Sequence, residues 1–369
     1  MTVTYIRDYM SSFYSEEENR GEDGHFENPQ YGQDLFKMID GGYLDAAQQT
    51  LYNDRHAVSP VRKEIIECLP MEARNGRLSP LVDKIMMPFA QTADPFWVSG
   101  IPSGAFNNSY APYTAMYYVI REYPREFIEM VDGMVVENQY DYEKVRNNFN
   151  RTFWRVLDGQ GRGTIRGYCS VDEMIRIGSL FYVLLKTCDH KPGLVLDDDR
   201  RFSNNWGGES VIISLTPREM SQYQAKLEDV VMSDLPWEAF CYRNMKYTDE
   251  DTLWFFNVPN FMDEEYVDKL DESVHRWFDQ TEFLKLFEIL PLITNRGGKI
   301  FLIFKHDGEM VDDVVRYLKF DPVDDAGVYR SNANVYDRDD LRLYKHFGRG
   351  LNSLRYSVIT NYAITGRHR

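Results

Sequence analysis

Three groups of residues in this 369-residue chain have the types and spacing to do chemistry. Asn257, Pro259 and Phe261 follow or end the apolar run Thr252-Leu-Trp-Phe-Phe-Asn-Val. A turn at the carboxyl end of a buried strand is where α/β proteins hold ligands. An amide there makes directed hydrogen bonds, and a ring can lie on a planar substrate. Gly100 and Gly104, in Phe96-Trp-Val-Ser-Gly-Ile-Pro-Ser-Gly-Ala-Phe, would let a backbone come close to a cofactor. Arg151, Trp154, Arg155 and Arg166 join guanidinium forks that match phosphate to a ring that can receive an unstacked base. Each group also has a plain structural reading: a loop with a buried Phe, two turn glycines, and an amphipathic helix with Trp in its core.

Other chemistries lack their residues. The four cysteines, Cys68, Cys169, Cys188 and Cys241, are far apart, without a Cys-x-x-Cys pair or a His at ligand spacing. They read as buried free thiols, and no metal site is expected. His190, His306 and His346 have no evident triad or ligand partner, and neither a Ser-His-Asp set nor a Gly-x-x-x-x-Gly-Lys loop is present. The run Asp197-Asp-Asp-Arg-Arg reads as a surface turn, because consecutive side chains point in different directions.

The elements that must position these residues follow from periodicity. Phe96-Trp-Val, Thr252 to Val258 and Lys299 to Phe304 read as buried strands of the parallel-sheet kind. Helical spacing fits 113–131, 171–187, 217–231 and 267–290. Strands parted by long helical stretches predict an α/β fold with crossover helices, and a helical block at 121–202 reads as an insertion. Residues 1–70 read as an acidic, partly helical N-terminal extension. Forty-two basic against 58 acidic residues give a net charge of −16, which excludes a chain that coats phosphate everywhere. The charge is uneven: 144–176 holds seven basic and three acidic residues, and 338–369 seven against two. Any contact with double-stranded DNA is therefore local. No apolar run is long enough to span a bilayer and no leader pattern opens the chain, so a cytoplasmic protein without membrane contact is expected.

Several segments, taken in order, resemble the Dam-type DNA adenine methyltransferases. Ile175-Arg-Ile-Gly-Ser-Leu-Phe-Tyr-Val-Leu-Leu-Lys is similar to that family's Arg-Ala-x-x-Phe-x-Tyr-Leu-Asn segment. Leu253-Trp-Phe-Phe-Asn-Val-Pro-Asn-Phe stands where the family has a strand ending in Asp-Pro-Pro-Tyr. Lys299-Ile-Phe-Leu-Ile-Phe and Tyr356-Ser-Val-Ile-Thr-Asn-Tyr resemble its later strand and its closing Leu-Ile-x-Asn-Tyr. The resemblance covers roughly 77–364 and implies a Rossmann-like methyltransferase sheet at 71–120 and 203–369. It further implies that 121–202 is a DNA-recognition insertion, that S-adenosylmethionine is the cofactor, and that a flipped adenine is the substrate.

The chain departs from that pattern where the chemistry needs it most. With Phe261 as the stacking ring, Val258 falls at the acceptor position; with Asn257 as acceptor, Asn260 replaces the ring. The Glu-Pro-Phe-x-Gly-x-Gly turn, placed on 96–106, keeps Gly104 and Gly100 but meets Pro102, and the ribose-binding acid would fall near Ala111. The family's early Gly-Gly-Lys is at best Asn75-Gly-Arg77. Losing one positioned polar catalytic group costs about 10²- to 10⁴-fold. The expectation is a catalytically degenerate homologue that binds DNA or a protein partner and carries no cofactor. The alternatives are an active enzyme with an altered pocket, which would use S-adenosylmethionine, and a structural or inhibitory protein of viral type that reuses the fold.

Overall fold

The computed structural model describes residues 68–74, 77–90, 93–108, 110–158, 169–188, 201–208, 215–258, 280–306, 320–322, 328–331, 341–349, 355–362 and 364. The expected N-terminal extension therefore lies almost wholly outside the described residues.

A short antiparallel pair, β1 (Met71–Arg74) and β2 (Arg77–Pro80), precedes the main sheet. That sheet is mixed. Its strands are β3 (Lys84–Met87), β4 (Ser103–Asn107), β5 (Val230–Ser233), β6 (Thr252–Asn257), β7 (Lys299–His306), β8 (Phe320–Pro322), β9 (Val328–Ser331), β10 (Arg342–Arg349) and β11 (Arg355–Thr360). Their spatial order is β5-β4-β3-β6-β7-β11-β10-β9-β8. The strands from β5 to β7 are mutually parallel, and β11 joins β7 antiparallel. The chain lays down β3, β4 and β5 in one direction, then returns beside β3 with β6 and β7. The order therefore reverses between β3 and β6, and their carboxyl ends mark the crevice where an open α/β sheet takes its ligand.

The apolar run of β6 explains its central place. Leu253 and Phe255 join the core on one face, and Trp254 and Phe256 the core on the other, all buried. A strand buried on both faces needs such a continuous run. The first core is covered by α1 (Asp94–Ser99), α2 (Ala111–Glu122), α3 (Pro124–Asp132), α4 (Gln139–Asp158), α5 (Val171–Thr187) and α6 (Pro217–Leu227). The second is covered by α7 (Trp237–Asn244) and α8 (Gln280–Asn295). Helix α5 is apolar almost all round, which buries it among its neighbours. It starts where Ser170 and Glu173 cap each other's backbone amides, the reciprocal capping box.

The sequence reading is corrected at three places. Phe96-Trp-Val belongs to α1, opened by Pro95, with Phe96 and Trp97 buried, and the strand follows at Ser103–Asn107. The helix expected over 113–131 is two helices, because Pro124 cannot continue the first and opens the second. The helix expected over 217–231 stops at Leu227 and gives way to β5. Helix α5 occupies the expected 171–187, and β6 and β7 hold the expected strands. Helices α2 to α5 run between β4 and β5, and α2 crosses the division expected at residue 120. Among the described residues no helix is long and apolar enough to cross a membrane.

Candidate functional site

The crevice edge is built from the ends of four strands. Asn107, the last residue of β4, is buried and satisfies every polar atom of its amide. Its Nδ2 donates to the carbonyl oxygens of Pro88 (3.1 Å) and Leu235 (2.9 Å). Its Oδ1 accepts from the Leu235 amide (2.9 Å) and the Ser233 hydroxyl (2.8 Å). One side chain thus ties the turn after β3 and the turn after β5 to β4.

Asn108 is held by its backbone, whose amide donates to the Ser233 carbonyl at 3.0 Å. Its side chain is only 3% exposed, yet neither amide atom has a hydrogen-bond partner in the structure. An unsatisfied buried polar group costs about 1–3 kcal/mol.

The turn after β3 runs through Pro88, Phe89 and Ala90 to Ala93, where α1 begins. Ala93 has φ 53°, a left-handed conformation that favours glycine. No glycine occurs in 88–93. Gly100 and Gly104, the expected cofactor glycines, lie outside this turn. Gly100 closes α1 at φ 73°. Gly104 pairs with Ile85 near the start of β4, and a Cβ there would come within 2.7 Å of the Ile85 carbonyl. Both glycines, with exposed Pro102, sit at the amino end of the strands, opposite the crevice. Their roles are the helix stop and the close strand pairing.

At the end of β6, Asn257 stands on the crevice edge, partly buried. Val258 is buried in the core on the other face, and its amide donates to the Ile303 carbonyl at 3.0 Å. Placing the acceptor there would put an apolar core side chain in that role. Pro259 and Phe261 lie outside the described residues. Strands β3, β4 and β6 thus end in Met87, Asn107 and Asn257, with no carboxylate among them.

A second concavity of about 540 Å³ lies over α4, lined by Arg146, Asn147, Asn150, Arg151, Trp154, Arg201, Phe202 and Ser203. Asn147, Asn150, Arg151 and Trp154 occupy one stripe of the helix at i, i+3, i+4 and i+7. Phe149 and Phe153 face the core, stacked 5.6 Å apart. The opposite wall is fixed to α4 by Asn150, whose Oδ1 accepts from the Phe202 amide and whose Nδ2 donates to the Phe202 carbonyl, both at 2.9 Å. Tyr142 donates its hydroxyl proton to the Asn204 carbonyl at 2.7 Å, and Arg146 donates to the same oxygen at 3.1 Å. The Arg201 guanidinium lies 4.7 Å from the centre of the Trp154 ring.

The structure brings Arg151 and Trp154 together and separates Arg155 from them. Arg155 donates to Glu173 at 2.6 Å, outside the concavity. The Glu173 carboxyl is held below its ordinary range by the backbone and hydroxyl of Ser170, and further by Arg155. Arg166 lies outside the described residues. Arg201 and Asn150 were not legible as partners of Trp154: 47 residues separate Arg201 from that ring, and its own segment reads as a turn.

Burial first, and Glu173 next, push Cys169 up to about 12, and burial drives Cys241 well above its usual value. No group of three His, Cys, Asp or Glu among the described residues is placed to hold a metal ion. Comparison with protein-family models finds no match, and comparison with curated proteins finds no matching relative.

Proposed function

We propose that this chain is a Dam-like methyltransferase homologue that no longer transfers a methyl group and acts as a DNA-binding or scaffold subunit. Its parallel strands follow the order third, second, first, fourth, fifth, which supports a Rossmann-like reading of the sheet. Helices α3 to α5, within 121–202, are then the inserted recognition block. The observation that carries the loss of catalysis is the edge of the crevice. Met87, Asn107 and Asn257 end the strands where a ribose-binding or amine-accepting carboxylate is needed. Asn107 could not be recruited, since all its hydrogen bonds tie turns together. Ala93 adds a methyl group where the cofactor turn needs bare backbone. Incubation with duplex DNA and labelled S-adenosylmethionine tests this reading: no labelled adenine is expected, and its appearance refutes the proposal.

A second reading, an active enzyme with an altered pocket, is favoured by one observation. The buried amide of Asn108 has no partner, and a polar ligand group in the crevice would supply it. Under this reading the same incubation yields a modified adenine.

A further inference from the structure

We infer that the concavity over α4 is a nucleotide-binding site, in which Arg146 and Arg151 take a phosphate and the base extends the stack that Arg201 makes on Trp154. This goes beyond the DNA-binding reading, because it names one pocket and the chemistry of a single nucleotide unit. Its volume of about 540 Å³ suits one such unit. Among the described residues three guanidinium groups and no acidic side chain line it, and Arg146 and Arg151 form no ion pair there. Three positive groups on one small concavity of a chain with net charge −16 select an anion. Phosphate alone would not need the indole. Trp154 with Arg201 makes a flat platform of ring and guanidinium, both of which accept a stacked base. Asn147 and Ser203 on the rim supply donors and acceptors for a base edge or sugar hydroxyl. The paired hydrogen bonds between Asn150 and Phe202 hold the walls in place before any ligand arrives.

The same chemistry could come from a free nucleotide or from one residue of a single strand. Titration of the full chain with AMP, with adenosine, with inorganic phosphate and with a short single-stranded oligonucleotide separates these sources. Tryptophan fluorescence and calorimetry serve as parallel readouts. The expected result is saturable quenching by AMP or by the oligonucleotide, with adenosine and phosphate each weaker by about tenfold or more. AMP binding as tightly as the oligonucleotide assigns a free nucleotide; a much tighter oligonucleotide assigns a strand. Trp154→Phe should keep affinity within about threefold while removing most of the quench, and Trp154→Leu should weaken binding about tenfold. Arg146→Gln combined with Arg151→Gln should weaken binding at least tenfold, with circular dichroism unchanged. Equal binding of phosphate and AMP, full affinity in the folded double variant, or no binding of AMP and oligonucleotide by either readout would overturn the inference. Duplex DNA binding that survives the double variant would overturn this site and leave the DNA-binding reading standing. Binding of S-adenosylmethionine would overturn that reading's pseudoenzyme claim and leave the site standing.

Discussion

Asn107 and Leu235 hold each other through two bonds: Asn107 Nδ2 donates to the Leu235 carbonyl at 2.9 Å, and the Leu235 amide donates to Asn107 Oδ1 at 2.9 Å. With the third and fourth bonds to Pro88 and Ser233, this amide ties the turns after β3 and β5 to the end of β4. Asn107→Asp, the substitution that would restore an acid, sets a carboxylate oxygen against two carbonyl oxygens. It should cost about 3 kcal/mol at neutral pH, judged from the price of a buried unmatched polar group. The folded-state pKa of the new acid would be raised, so the deficit should shrink as pH falls and the acid becomes a donor. Urea denaturation of both proteins at neutral and acidic pH measures this.

Asn108 supplies the opposite expectation. Its side chain has no partner and is buried, so replacing it by Leu removes an unsatisfied group while filling a similar volume. Asn108→Leu should stabilise the ligand-free protein by about 1–2 kcal/mol. Destabilisation in urea would show instead that the amide is bonded in solution.

Lys226 tests the packing at the opposite edge. Burial pushes its ammonium down to about 8, although it donates to the Ile101 carbonyl at 2.7 Å and lies 4.5 Å from the Phe96 ring centre. The unfolded chain keeps this proton to about 10.4. Between those values the unfolded state binds more protons, so the group makes stability rise with pH across that window. Lys226→Met should remove this rise, and the difference between the two proteins should narrow from pH 7 to pH 10 in thermal or urea melts.

The cap of α5 gives a fourth stability measurement. Ser170→Ala removes the acceptor for the Glu173 amide and should cost about 1 kcal/mol. Because the Glu173 pKa is lowered, its contribution is present above the ordinary glutamate range and is lost as pH falls through the lowered folded value. The Ser170→Ala deficit should therefore diminish in acid, read from the same melts.

Much of the architecture was legible from local pattern. The apolar run of β6 marked a strand buried on both faces, and the helical spacing over 171–187 marked α5. Other features were hidden for physical reasons. Phe96 and Trp97 look like strand residues, but Pro95 opens a helix there and the tertiary core buries its aromatic side. The closing Asn-Tyr was legible as a motif but not as a role: Asn361 accepts from the Ile300 amide at 2.8 Å and donates to the Gly298 carbonyl at 2.7 Å, fastening β11 to the start of β7. The concavity over α4 was half legible. Arg151 and Trp154 share a helix stripe, whereas Arg201 reaches them only through the fold.

The central claim is that the crevice between β3 and β6 has lost its cofactor chemistry. Calorimetric titration of the full chain with S-adenosylmethionine tests it most directly. The account predicts no saturable heat up to millimolar cofactor, and binding in the micromolar range would contradict it.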